Sequence, residues 1–266
     1  MKIHPSAQVH PTAVVSDEAE IGENCIIGPY SVIQGKVKIG DNNIIEGHVS
    51  FGSRDGLVVV GKNNHFYPGA AVGGPPQDIS FKNDETSLVI GDSNTIREFT
   101  TLNVGTKKGK GTTRVGSNCF LMAYVHVGHD CQLGDNVIIA NNGQLAGHVT
   151  IEDHVTISAL CGFVQGTRVG KYAFVGGGTE ANKDILPFSR AQGRWAVVRA
   201  TNKIGLQRKG FAQEDIDAIH KAIRIVIMGS ATMNEAFERI QTEVPPGPHI
   251  EYLVKFIKES VRGIAK

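Results

Sequence analysis

Val115-Gly116-Ser117-Asn118-Cys119-Phe120-Leu121-Met122-Ala123-Tyr124-Val125-His126-Val127-Gly128-His129-Asp130-Cys131 carries an apolar residue at every sixth position: 115, 121 and 127. The spacing continues downstream through Leu133, Ile139, Leu145, Ile151, Ile157, Phe163, Val169 and Val175. Upstream it runs through Ile3, Val9, Val15, Ile21, Ile27, Ile33, Ile39 and Ile45, then resumes at Val60, Phe66 and Val72 and at Ile90, Ile96 and Leu102. A helix of 3.6 residues per turn cannot keep phase with this spacing. Short strands joined by tight turns can, and branched anchors suit a pleated, half-buried surface. Four positions after the anchors the residues are mostly small: Ala7, Ala13, Ala19, Cys25, Ser31, Cys119, Cys131 and Cys161. A narrow corner accommodates them and would be overfilled by large side chains. Gly follows the anchor directly at 22, 28, 40, 116, 128, 134 and 170. Gly and Asn are expected to supply the turns with positive φ.

This pattern resembles the hexapeptide repeat of left-handed parallel β-helices, in which three hexads close one triangular coil. The 25 clear hexads then make about eight coils of a mainly β protein. All four cysteines share the small position, so they are expected to be buried apolar fillers without disulfide or metal role. Two insertions break the phase. One, between Val72 and Ile90, contains Gly73-Gly74-Pro75-Pro76-Gln77-Asp78; the other, between Leu102 and Val115, contains Lys107, Lys108, Gly109, Lys110 and Gly111. A smaller one lies near Ser53-Arg54-Asp55-Gly56. Insertions in solenoids map to loops on a binding face.

The repeat stops at Ile185-Leu186-Pro187, which divides a β-helix domain (1–187) from a C-terminal helical domain (188–266). Helical periodicity opens at Gln213-Glu214-Asp215 and again at Thr232-Met233-Asn234-Glu235, and a third helix follows Pro248 through to Val261. The helical part carries a net charge of +5 and the β-helix −4, so the tail is a candidate docking surface for an acidic partner. The whole chain is near neutral, at +1, which offers no footprint for nucleic acid. Gly, 32 of 266 residues, is abundant, but no Gly-X-Y period supports collagen. No apolar run reaches the ~20 residues of a membrane span, and the opening residues lack a signal-peptide core. A cytoplasmic protein is the expectation.

A coil of three hexads stacks positions 129, 147 and 165 in one column and 130, 148 and 166 in the next. His129, Gly147 and Gln165 then sit beside Asp130, His148 and Gly166. Imidazole is a general base near neutral pH, and a carboxylate can orient it. A glycine N–H can donate to a developing oxyanion. No Ser or Cys stands in the context of an activated nucleophile, so direct attack by a substrate hydroxyl is the simpler chemistry. Zinc held by His126, His129 and His148, as in hexapeptide carbonic anhydrases, is the competing reading. The His-x4-His spacing usual there is missing.

Pro76-Gln77-Asp78, Ile96-Arg97-Glu98, His126-Val127-Gly128-His129-Asp130-Cys131, Ala140-Asn141-Asn142, Leu145-Ala146-Gly147-His148-Val149 and Gln207-Arg208-Lys209-Gly210-Phe211 resemble the acyl-[acyl-carrier-protein]–UDP-N-acetylglucosamine O-acyltransferases, which begin lipid A synthesis. The likeness covers nearly the whole chain. It implies transfer of an (R)-3-hydroxyacyl group from acyl carrier protein to the 3-hydroxyl of UDP-GlcNAc. His129 would be the general base, Asp130 its orienting carboxylate and Gly147 the oxyanion donor. Gln77, Asp78, His126 and His148 would line the sugar pocket. Gln165, Asn202 and Arg208 would hold the uridine diphosphate. Gly176, Gly177 and Trp195 would bound the acyl groove. It also implies a homotrimer with sites between subunits, acyl carrier protein docked on the basic tail, and no metal or dissociable cofactor.

The chain departs from that family pattern at four places. Ser80 stands where the family usually has lysine, with Lys82 the nearest substitute; Val164 replaces a common His; Trp195 replaces a common His; Ile204 replaces a common polar contact. These positions leave open GlcNAc against its 3-amino analogue, and the acyl length. Three other readings share the scaffold. The later N-acyltransferase carries a uridine-binding domain before its repeat, whereas here the repeat starts at Ile3. The others are a CoA-dependent acetyltransferase and a non-catalytic solenoid.

Overall fold

The computed structural model describes residues 2–82, 84–228 and 232–266. Strands of two residues dominate, each ending on its anchor. Within a strand the anchor faces inward and its neighbour outward, as the period of two requires. Strands pair in parallel with the coil below: His126 with Gln144, Gln144 with Gly162, Gly162 with Glu180. The ladders build three faces of a triangular, left-handed parallel β-helix. The first face runs from Lys2–Ile3 to Arg168–Val169, the second from Gln8–Val9 to Phe174–Val175, the third from Val14–Val15 to Glu180–Ala181. Each face holds nine rungs, so the helix has nine complete coils, one more than the clear hexads suggest. Phe51 and Ala181 are the two missing anchors, at 1% and 0% exposure. An insertion follows Phe51, and Ala181 is too small to register as an apolar anchor.

The anchors and the small positions fill the interior. Cys25, Cys119, Cys131 and Cys161 are free thiols buried there, and burial pushes Cys131 up to about 12. They are protonated and inert, as apolar fillers are.

The turn chemistry differs from the sequence expectation. Positive φ falls three residues after the anchor. Asn occupies some of those corners (Asn24, Asn42, Asn118), but Tyr30, Phe99, Tyr124, Leu160 and Tyr172 occupy others. The Gly next to the anchor has another cause. A Cβ at Gly116 would lie 2.4 Å from the Gly134 carbonyl oxygen of the next coil. Coil-to-coil approach, not φ, excludes side chains there.

Both large insertions leave the third-face corner as loops, after Ala71–Gly74 and after Thr101–Asn103. The small one merges into the long strand Ser50–Val60, which continues around a corner and so serves two faces. At the other end Ser189–Gln192 still pairs in parallel with Phe174–Val175, so the ladder runs past residue 187 before Val197–Thr201 turns back antiparallel. A short helix, α1 (Lys203–Arg208), comes next and has no counterpart in the sequence reading. Helix α2 (Gln213–Met228) buries Ile216, Ile219, Ala222, Ile223 and Val226. Thr232 caps α3 (Met233–Glu243) by accepting from the Glu235 N–H. Pro248 opens α4 (Pro248–Lys258), which stops short of Val261. No helix among the described residues is long and apolar enough to cross a membrane.

Candidate active site

The third face and its loops build a groove of about 660 Å³. Gln77, His126, His129, Gly147, Gln165 and Trp195 line it, and Val164 lies among them. The three-hexad spacing therefore stacks the column as expected: the His148 N–H donates to the His129 carbonyl, and the Gly166 N–H to that of Gly147. Asp130 and His148 occupy successive corners with φ of 61° and 63°. Non-glycine residues hold this left-handed geometry only where the surroundings over-determine it.

His129 Nδ1 lies 2.9 Å from Asp130 Oδ2. That hydrogen bond places the proton on Nδ1 and leaves the Nε2 lone pair free. The His148 ring meets His129 edge-on at 5.0 Å, with its Nε2 3.8 Å from the same carboxylate oxygen. Asp130 is fully buried. Burial alone would raise its pKa and is the largest single influence. Hydrogen bonds from Thr106 and His129 outweigh it and hold the carboxyl below the ordinary range. Burial, then the neighbouring His129, pushes His126 down, so it is neutral near pH 7. Its Nδ1 engages the Thr101 hydroxyl at 2.7 Å.

Gly147 lies against the working edge of His129. A Cβ there would sit 2.5 Å from Nε2 and Cε1. Its N–H donates to no acceptor among the described residues. Asp78, on the first inserted loop, has its carboxyl lowered chiefly by the Ser80 N–H at 2.8 Å and then by the Ser80 hydroxyl, with His129 and Lys108 adding positive charge. The serine that departs from the family pattern thus serves Asp78 directly.

Four expected residues lie elsewhere in the single chain. Asn202 and Arg208 line a second groove of about 700 Å³, between the second face and the helical domain. Arg190, Lys203 and Lys209 make that groove basic, and Ile204 lies in it. Gly176 and Gly177 follow the second-face strand Phe174–Val175 and line no part of the His129 groove. Conversely, Asn103, Gln144 and Glu180 line the His129 groove without having stood out in the sequence.

His129, Asp130 and His148 are close enough to hold a cation. The donor set does not favour one. Each oxygen of Asp130 already meets three donors: Thr106 N–H, Lys110 N–H and Gly111 N–H on Oδ1; Thr106 N–H, Thr106 hydroxyl and His129 on Oδ2.

Known proteins share this architecture. "Bacterial transferase hexapeptide (six repeats)" describes residues 1–35, 18–53 and 112–147, and "Udp N-acetylglucosamine O-acyltransferase; Domain 2" describes 184–265. The acyl-[acyl-carrier-protein]–UDP-N-acetylglucosamine O-acyltransferase of Anaeromyxobacter dehalogenans is 42% identical over 258 residues, 97% of this chain and 99% of that one. That of Thermodesulfovibrio yellowstonii is 39% identical over 259 residues, with the same shares. The solved UDP-N-acetylglucosamine acyltransferase of Campylobacter jejuni superposes with a TM-score of 0.89 at 35% identity, over 97% of this chain and 99% of that one. The Francisella novicida enzyme gives 0.86 at 37%, over 98% and 93%. Sequence identity and superposition both extend along nearly the full length, and the chain belongs to the acyl-[acyl-carrier-protein]–UDP-N-acetylglucosamine O-acyltransferase family, which makes it an acyltransferase.

Proposed function

We propose that the protein transfers an (R)-3-hydroxyacyl group from the phosphopantetheine thioester of acyl carrier protein to the 3-hydroxyl of UDP-GlcNAc, the first step of lipid A biosynthesis. His129 Nε2 takes the proton of the sugar hydroxyl as its oxygen attacks the thioester carbonyl carbon. The Gly147 N–H receives the oxyanion of the tetrahedral intermediate. Collapse breaks the carbon–sulfur bond, and the His129 imidazolium returns its proton to the departing thiolate. Asp130 holds His129 in the required tautomer and offsets its positive charge. Gln77, Asp78, His126 and His148 hold the sugar side, and Gln165 joins the uridine diphosphate contacts. Asn202 and Arg208 hold the nucleotide, Gly176, Gly177 and Trp195 set the acyl length, and the basic tail receives the acidic carrier. Because the two grooves lie on different faces of one chain, a cytoplasmic homotrimer that sets the second face of one copy against the third face of another completes the site. The chemistry calls for no metal or dissociable cofactor.

The observation that carries this reading is the bare α-carbon of Gly147 against the Nε2 edge of a histidine whose Nδ1 is bound to a buried carboxylate. The test is transfer onto radiolabelled UDP-GlcNAc from a panel of (R)-3-hydroxyacyl carrier proteins. His129→Ala is expected to lose about 10²- to 10⁴-fold in kcat while keeping its fold. Transfer at the wild-type rate in that variant would overturn the assignment.

A further inference from the structure

The second inserted loop contains lysines that suggest a substrate contact, yet its inner side is occupied by something else. Thr106 is 5% exposed, and its hydroxyl donates to Asp130 Oδ2 at 2.7 Å. His129 holds the same oxygen. The Thr106, Lys110 and Gly111 N–H groups reach the carboxylate at 2.8 to 3.1 Å. The Thr106 hydroxyl also accepts the Gly109 N–H at 3.1 Å, closing the turn. Gly109 packs so tightly that a Cβ would fall 2.4 Å from the carboxylate carbon of Asp130. From behind, the Thr113 hydroxyl accepts the Asp130 N–H at 2.8 Å, holding the corner itself. The loop is thus folded around one side chain, and that side chain faces the catalytic histidine.

We infer that Thr106 is a positioning residue for transfer, and that the loop Val104–Gly111 is a cradle aiming Asp130 Oδ2 at His129. The inference rests on His129 being the base. Because Thr106 shares Oδ2 with His129, it does two things. It sets the direction of the lone pair that His129 meets. It also draws charge from that oxygen, which limits how tightly the carboxylate holds the imidazolium.

The test compares Thr106→Val, which keeps the shape and removes the hydroxyl, with Thr106→Ser, which restores it. In Thr106→Val, kcat is expected to fall roughly 10- to 100-fold, with KM for both substrates within about twofold. The acid limb of the kcat–pH profile moves to higher pH, because the freed oxygen holds the protonated ring more strongly. Thr106→Ser restores rate and profile. An unchanged kcat and pH limb in Thr106→Val would overturn the inference, as would a loss matched by loss of folded protein with the pH limb unmoved. Should Thr106→Val fail to fold, Gly109→Ala forces the same carboxylate to move while keeping the hydroxyl. It must show the same fall in kcat; wild-type kcat there also overturns the inference. His129→Ala run alongside separates the cases: transfer persisting in that variant refutes the base, whatever Thr106 does.

Discussion

Gly147 shows how much chemistry can hang on a missing methyl group. Its α-carbon lies where any side chain would strike the His129 ring, 2.5 Å from Nε2. Gly147→Ala is therefore expected to lower kcat by about 10²-fold or more, by displacing the His129 ring and screening the N–H proposed as oxyanion donor together. The thermal midpoint should move little, because no buried contact is removed. Wild-type kcat in Gly147→Ala would show that the ring does not work in this position. His129, Gly147 and Gln165 were legible in the sequence because successive coils there are exact multiples of the hexad. Asn103 and Thr106 were not, for a definite reason. The insertion before Val115 lengthens that step, so His126 pairs with Thr101, three hexads and the whole insertion back. Periodicity finds neighbours only where the period holds. Thr106 was further hidden by being an ordinary residue in a lysine-rich loop, with nothing local to mark it as buried.

Among the elements, the anchored strands were readable because anchor and burial coincide. The corners were less so. Tyr30 and His48 stack at 5.1 Å, Phe99 and Tyr124 at 5.1 Å, each holding a left-handed corner through its neighbour on another coil. Turn propensity is a local property and does not register such stacking. Helix α4 illustrates the same limit. Its amphipathic pattern was visible, but its seat on the β-helix depends on Arg168. That guanidinium pairs with Glu152 at 2.6 Å, reaches Glu259 at 3.4 Å and lies 4.3 Å above the Phe256 ring. Tyr252 donates from α4 to the same Glu152. Glu152 is 13% exposed, so Arg168→Met would leave its charge mostly desolvated, without a cationic partner and held only by the Tyr252 hydroxyl and the Lys171 N–H. A loss of about 2 kcal/mol follows, discounted from fully buried pairs because Arg168 is partly exposed. It should appear as a lower denaturant midpoint. An unchanged midpoint would mean that apolar packing of Leu253 and Phe256 alone seats the helix.

At the scale of the whole molecule, the two grooves pose a geometric question. His129 opens on the third face, Asn202 and Arg208 on the second, and a triangular prism keeps those faces apart. In the proposed homotrimer, a closed ring of three copies would set each second face against a neighbour's third face and bring the two grooves together. Two damaged chains then become informative together. His129→Ala lacks the base, and Arg208→Ala, combined with Asn202→Ala, lacks the nucleotide contacts. Each alone is expected to be nearly inactive as a pure assembly. Co-expressed in equal amounts, they form sites that take His129 from one chain and Arg208 from the next. Random assembly leaves about a quarter of all sites with both halves intact, so roughly a quarter of wild-type activity should return. Sites built within single chains would give no such recovery, because every chain carries one lesion. The measurement therefore locates the nucleotide subsite relative to the base without needing the complex to be seen, and it does so through the same transfer assay that tests His129.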